Sequence, residues 1–362
     1  MMKNTLVLLL FIGCTSASFL PSFIEKLFHG ESEDVFAPVA RIPYTDLLND
    51  NLYVDPFILH SMKHYGFFYV VDVPGYNAST ELNYMHRFHE LPEKFKAALE
   101  IRRHNPENKN AYRGYCPGLD DVENTLQYKN LYNIGPHEIR APMTNQKDDD
   151  LMKKLRYDCH EPNVWPATDD CEFDKGFKET FQAGFEIRRN IARAFVRSIS
   201  RALEFPDLLS LFAEDEFSAM GLRKYPIRKR KNDNMYSDHD DILLRELEHV
   251  DSTVTVLSTF ENPGLQMLYE NQYRDAPVSG NGFIVNIGKL VDDILDNQLT
   301  SVKHRVTEVP FDRYSVTYFL GPQFDADISR SMTQARTEAG RKYNIFGEWI
   351  KDYLGAIELF YY

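Results

Sequence analysis

Two imidazoles and one carboxylate, at His249, Asp251 and His304, are the side chains of this sequence best suited to act together. Such a set can hold a divalent metal on one triangular face and leave three positions open. Non-haem Fe(II) uses that arrangement to bind a substrate and O2 side by side. His249 and Asp251 stand two apart in Glu248-His249-Val250-Asp251, and on a strand residues two apart point to the same side. His304 follows 55 residues later in Ser301-Val302-Lys303-His304-Arg305-Val306, which also reads as a strand. Arg313-Tyr314-Ser315 then opens a run to Leu320. A fixed guanidinium there can take a carboxylate bidentately, with the Ser315 hydroxyl as a second donor.

A His-x-Asp pair carries little information alone, and the chain has a second one, His239-Asp240-Asp241. His239 lies in the polar stretch 232–241 with no strand after it, so it is assigned to a solvent loop. What distinguishes His249 is the order of features: His-x-Asp, a β-rich segment, a distant His, then Arg-x-Ser.

The elements that must position these residues follow from periodicity. Strands are expected at 217–225, 243–248, 252–259, 265–269, 282–287, 301–306 and 314–320. Many short strands after a helical half suggest a barrel or sandwich carrying helices on one side. Upstream, Gly66-Phe67-Phe68-Tyr69-Val70-Val71 reads as a strand, and 56–64, 79–90 and 92–102 read as helices. A long helix is expected over 173–204, where Phe177, Phe181, Phe185, Phe195 and Ile199 recur at near-helical spacing as core residues. The region 103–172 reads as irregular, and loops of that length usually line a site or cover a fold. Helix returns at 328–341 and 345–356.

The order and spacing of His249-x-Asp251, His304 and Arg313-x-Ser315 resemble the isopenicillin N synthase-like family of Fe(II) oxygenases, most of which use 2-oxoglutarate. The resemblance extends to Ile42-Pro43, to Tyr65-Gly66-Phe67-Phe68-Tyr69-Val70 and to Phe88-His89-Glu90-Leu91-Pro92. It also covers Gly282-Phe283-Ile284-Val285-Asn286-Ile287-Gly288. Asp72-Val73-Pro74-Gly75-Tyr76 departs from the family's usual His-Gly turn.

The resemblance implies a mainly β fold with flanking helices: a double-stranded β-helix (jelly-roll) core and a helical N-terminal half. It divides the chain into an N-terminal region over 39–204, a jelly-roll core over 205–325 and C-terminal helices over 326–362. It implies Fe(II) held by His249, Asp251 and His304, with O2 as co-substrate. The far carboxylate of 2-oxoglutarate would pair with Arg313 and Ser315, helped by Tyr225 of Leu222-Arg223-Lys224-Tyr225-Pro226. Read on its own, Tyr225 is a packing residue at a strand end. The implied reaction couples decarboxylation of 2-oxoglutarate to oxidation of a small organic substrate.

Two other functions fit the same residues. One is an oxidase like isopenicillin N synthase itself, which uses no 2-oxoglutarate. On that reading Arg102, in Ile101-Arg102-Arg103-His104-Asn105, holds a substrate carboxylate, and Asn163-Val164-Trp165-Pro166 also resembles that enzyme. The glutamine near that enzyme's C-terminus has no counterpart in Leu354–Tyr362. Arg102 is equally a solvated helix-end charge. The other is a secreted binding protein that keeps the fold without the chemistry, against which the intact motif residues argue.

Composition narrows the setting. The 362 residues, 43% of them hydrophobic, suffice for one large domain or two small ones. A net charge of −13 repels phosphate backbones, so nucleic acid is not an expected partner. Lys3, the apolar stretch 6–13 and Thr15-Ser16-Ala17 read as a signal peptide over 1–17, which places the protein in the secretory lumen or outside the cell. No later run is apolar for long enough to span a bilayer. Asn77-Ala78-Ser79 is a glycosylation sequon after a Pro-Gly turn. Cys159 and Cys171 are the expected disulfide, which leaves Cys116 as a free thiol.

Overall fold

The computed structural model describes residues 35–118, 129–136, 151–212, 216–227, 244–330, 332 and 343–356. Residues 1–17, the expected signal peptide, and His239 lie outside the described residues, as does most of the expected helix at 328–341. Residues 328–330, at its expected start, are not helical.

In chain order the elements begin β1 (Arg41–Pro43), α1 (Tyr44–Leu48), α2 (Asp55–His64), β2 (Phe67–Val71), α3 (Ala78–Glu90) and α4 (Glu93–Ala97). They continue β3 (Gly114–Cys116), β4 (Asn130–Ile134), α5 (Leu151–Cys159), α6 (Cys171–Ala202) and α7 (Asp207–Leu211). The second half holds β5 (Glu216–Tyr225), β6 (Leu244–His249), β7 (Val254–Ser258), β8 (Leu265–Tyr269), β9 (Gln272–Asp275) and β10 (Phe283–Ile287). It closes with α8 (Lys289–Ile294), β11 (His304–Thr307), β12 (Arg313–Gln323) and α9 (Phe346–Ala356).

Two sheets face each other as a jelly roll. The larger has the strand order β1-β2-β10-β7-β12-β5-β4-β3, and the smaller β6-β11-β8-β9. From β5 onward the chain crosses between the sheets: β5, β7, β10 and β12 lie in the larger, β6, β8, β9 and β11 in the smaller. The larger sheet also takes β1 to β4, so the regions 39–204 and 205–325 share one sheet.

The larger sheet is covered on both faces, which is why β10 is buried at all five positions instead of alternating. Its outer cover is α6, capped by Asp170, whose carboxylate accepts the Phe173 amide at 2.9 Å. Phe173, Phe177, Phe181 and Phe185 form its buried stripe at four-residue spacing. Phe185 meets Tyr318 of β12 edge-on at 5.0 Å between ring centres, and Phe195 lies 5.3 Å from Phe68 of β2. A buried fork fastens α6 to α3: Arg188 donates to both Glu81 oxygens at 2.7 Å and to Ser258 Oγ at 2.8 Å. Gly184 makes the room, since a Cβ there would lie 2.1 Å from Glu81 Oε1.

Several sequence expectations need correction. The region 103–172 is not irregular throughout: it contains β3, β4 and α5. The helix expected over 92–102 stops at Ala97, because the side-chain amides of Asn105 and Asn108 take the Ala97 carbonyl, each at 3.0 Å. Strand β9 was not foreseen. It is a polar edge strand joined to β8 by Glu270-Asn271, both at positive φ, and it offers no hydrophobic alternation. The Cys159–Cys171 disulfide is not formed: Cys171 carries a free thiol at the exposed start of α6, and the Cys159 side chain lies outside the described residues. The segment between the two cysteines is tied elsewhere. Glu161 accepts the Ala111, Tyr112 and Arg113 amides, and Asn163 bridges Gly135. Cys116 is also free, and burial pushes its thiol up to about 12. Among the described residues no helix is long and apolar enough to cross a membrane.

Candidate metal centre

His249 ends β6 and His304 begins β11, and the antiparallel register sets them directly opposite each other. Their ring centres are 4.3 Å apart. Each Nδ1 faces a backbone carbonyl, His249 that of Leu247 at 2.7 Å and His304 that of Val302 at 3.2 Å. A carbonyl only accepts, so each Nδ1 carries the hydrogen and the Nε2 lone pair is left for a ligand.

Asp251 lies just past the end of β6 rather than on the strand with His249, which corrects the expected same-side strand pair. It reaches the site because the segment after β10 clamps its turn. Gly288 donates to Thr253 O, Lys289 to Asp251 O and Leu290 to Ser252 O, at 2.6, 2.8 and 3.1 Å. The Asp251 oxygens then lie 3.9 Å from His249 Nε2 and 3.8 Å from His304 Nε2. One ligand atom from each residue can be chosen so that all lie within 4.8 Å of one another. Ligands about 2.1 Å from a metal at right angles stand roughly 3 Å apart, so modest inward movement closes the set on an ion.

The electrostatics suit a cation. Burial pushes the Asp251 carboxyl up, but His304, His249 and the Asn286 amide outweigh it and hold it below the usual carboxylate range. Burial, reinforced by His304, pushes His249 down toward the neutral form that binds metal. No other cluster of this kind occurs among the described residues.

The triad opens into a cavity of about 60 Å³ between the sheets. Arg313, Ser315 and Tyr225 line it with the triad. Arg313 and Tyr225 are cross-strand partners on β12 and β5, with the guanidinium carbon 5.3 Å from the centre of the Tyr225 ring. Arg313 is fully buried; its Nε donates to Pro263 O at 2.9 Å, and no carboxylate among the described residues pairs with it. Burial lowers this guanidinium to about 10, still cationic at neutral pH. A buried cation without a counter-ion is costly unless a ligand supplies one, and a bound carboxylate is the matching group.

Sequence reasoning missed the supports. Asn286 holds Asp251, while Arg245, fully buried, donates to the carbonyls of Tyr225, Val309 and Phe311 and so fixes the strand ends around Arg313. Glu246, beside the cavity, pairs with Lys129 and accepts from the Tyr225 hydroxyl at 3.3 Å. The Gly282–Gly288 motif was visible, yet its contact with Asp251 was not. Arg102 is not brought to the cavity. It sits half-exposed and pairs with Asp158 at 3.0 Å, because the short α4 leaves it beside α5. Asn77 is exposed and caps α3, accepting the Ser79 and Thr80 amides.

The model of the 2OG-Fe(II) oxygenase superfamily matches residues 218–322. The isopenicillin N synthase of Streptomyces clavuligerus is 26% identical over 301 residues, 81% of this chain and 86% of that protein. Kihadalactone A synthase LFS of Citrus sinensis is 28% identical over 306 residues, covering 80% and 83%. Among solved structures, a full-length Neurospora crassa protein in complex with alpha-KG superposes with a TM-score of 0.67 at 24% identity, covering 92% of this chain and 99% of that one.

Proposed function

We propose, from the premise that the chain belongs to the isopenicillin N synthase-like family of Fe(II)/2-oxoglutarate-dependent oxygenases, that it oxidises a small organic substrate within the secretory pathway or outside the cell. The family brings Fe(II), 2-oxoglutarate and O2. His249, Asp251 and His304 would hold the iron, and their donor set of two imidazoles and one carboxylate fits it. When bound, Fe(II) supplies the activation of O2 that is coupled to oxidative decarboxylation of 2-oxoglutarate.

The chain's own residues orient and enclose. Arg313 takes the distal carboxylate of 2-oxoglutarate through its fork, Ser315 donates a second hydrogen bond, and Tyr225 walls the same end of the cavity. The nonpolar side chains of Leu257, Leu265 and Val306 keep water from this end. The observation that carries the reading is the buried Arg313, which forms no ion pair with any described carboxylate, in the same cavity as the convergent triad. The test is O2 uptake by the Fe(II)-loaded protein against 2-oxoglutarate concentration. Binding of 2-oxoglutarate to the metal-loaded protein by calorimetry serves as a substrate-independent readout.

The oxidase that uses no 2-oxoglutarate is the second reading, favoured by the likeness to isopenicillin N synthases. Arg102, its expected substrate contact, is engaged with Asp158 instead, which weighs against it. Indifference of O2 uptake and of calorimetry to 2-oxoglutarate would support it.

The secretory setting rests on residues 1–17, and a glycan on the exposed Asn77 accords with it. Amino-terminal sequencing of protein recovered from the medium of expressing cells tests cleavage after Ala17. The acidic balance of the chain argues against a nucleic-acid partner, and salt-dependent retention on immobilised DNA is the check.

A further inference from the structure

We propose that the primary substrate is a small monoanionic molecule with an apolar body, seated in a second cavity beside the metal with its carboxylate on Arg223. This inference rests on the oxygenase reading and names the substrate class for it. The second cavity, about 100 Å³, lies on the inner face of the larger sheet under α9. It adjoins the metal cavity, because Arg223 and Phe319 line both.

The space exists because β5 carries small residues there. Along its inner face Phe217 is followed by Ala219 and Gly221 before Arg223. A Cβ on Gly221 would lie 2.9 Å from Leu131 Cδ1, and 3.6 Å from both Arg223 Cζ and Asn133 Oδ1. Gly221 therefore marks the spot where the guanidinium of Arg223 and the amide of Asn133 face one gap. Phe217, Phe319, Phe346 and Ile350 supply apolar walls.

Three donors that line this space have no hydrogen-bond partner among the described residues. Asn133 is 6% exposed, and its Nδ2 is buried with no hydrogen bond. Thr253 Oγ1 is buried and equally unsatisfied. Arg223 makes no hydrogen bond or ion pair with any described residue; the nearby Glu246 is already taken by Lys129 and Tyr225. Buried polar groups are ordinarily satisfied, and exceptions mark places where a ligand completes the set.

Charge selects the ligand. Among the described residues no acidic side chain lines the second cavity, and Arg223 is the one cation that does. A single carboxylate neutralises Arg223, whereas a neutral molecule leaves the guanidinium unpaired and a dianion leaves one charge over. Asn133 and Thr253 are then free to donate to a carbonyl or hydroxyl on the substrate body. Arg313 is a different site, deeper in the metal cavity and opposite Tyr225.

Calorimetric titration of the full, metal-loaded chain tests this with three matched pairs: phenylacetate and phenylacetamide, 4-phenylbutyrate and its amide, hexanoate and hexanamide. The expected result is at least one pair whose carboxylate binds roughly ten- to a hundredfold more tightly than its amide. Arg223→Gln should erase that preference and Arg223→Lys should retain part of it, while Arg313→Leu should leave it intact. No preference in any pair, or a preference that survives Arg223→Gln and vanishes in Arg313→Leu, overturns the proposal. Titration with 2-oxoglutarate is read separately: its failure to bind wild type, or indifference to Arg313→Leu, counts against the oxygenase reading whatever the carboxylate probes do.

Discussion

Asn286 donates its side-chain amide to Asp251 Oδ2 at 2.8 Å, and so a strand of the larger sheet fixes the rotation of the carboxylate in the candidate metal set. Two residues on, Gly288 packs so closely on the same turn that a Cβ would lie 2.1 Å from the Asp251 carbonyl oxygen. One short segment therefore holds both the side chain and the backbone of Asp251.

Asn286→Leu should weaken Fe(II) or Mn(II) binding about ten- to a hundredfold, the usual effect of removing a hydrogen bond that orients a ligand. Calorimetric metal titration measures it, with circular dichroism confirming an unchanged fold. Unaltered affinity would remove Asn286 from any role at the centre.

Arg313→Leu should leave metal binding nearly unchanged and raise the 2-oxoglutarate requirement by roughly two to four powers of ten. Losing one partner of a buried charged pair costs on the order of 3–5 kcal/mol, at about 1.4 kcal/mol per tenfold. The measurement is O2 uptake and calorimetry against 2-oxoglutarate, wild type beside variant. A dependence that the substitution does not move takes Arg313 out of the co-substrate site.

Arg188→Met should destabilise the fold by about 3–5 kcal/mol, because it leaves the Glu81 carboxylate buried without its fork. Arg87→Ala breaks an exposed pair with Asp170 at 3.1 Å and should cost under about 1 kcal/mol. Urea denaturation of the two variants compares them directly. Equal losses would mean that the Arg188 pair contributes no more than a surface contact.

His89 sets a pH dependence. Burial, with Lys224 and Lys96 nearby, lowers its imidazole from 6.5 to about 3. The folded protein therefore binds this proton less readily than the unfolded chain. The stability it confers is fully present above about pH 6.5 and is lost progressively as pH falls toward about 3. His89→Gln removes the site, so its midpoint temperature should fall less steeply than that of wild type between pH 6.5 and pH 4. Parallel slopes would show that His89 is not held neutral.

The sequence by itself determined which residue types were available for chemistry and the strands that carry most of them. His-x-Asp, the distant His and Arg-x-Ser are local patterns, and β5, β7, β8, β10 and β12 are strongly apolar runs whose periodicity survives without tertiary context. The polar strand β9 and the short strands β3 and β4 escaped because their pairing partners, not their own residues, make them strands. Tertiary structure alone decided that His304 faces His249 across a register and that Asn286 and Gly288 seat Asp251. It alone paired Arg102 with Asp158 away from the cavity, and left Arg223 facing a gap opened by Gly221. The physical reason is common to these cases. Hydrophobic periodicity reports which face of an element is buried, whereas a site depends on distances between residues far apart in the chain, and those are set by strand register and packing.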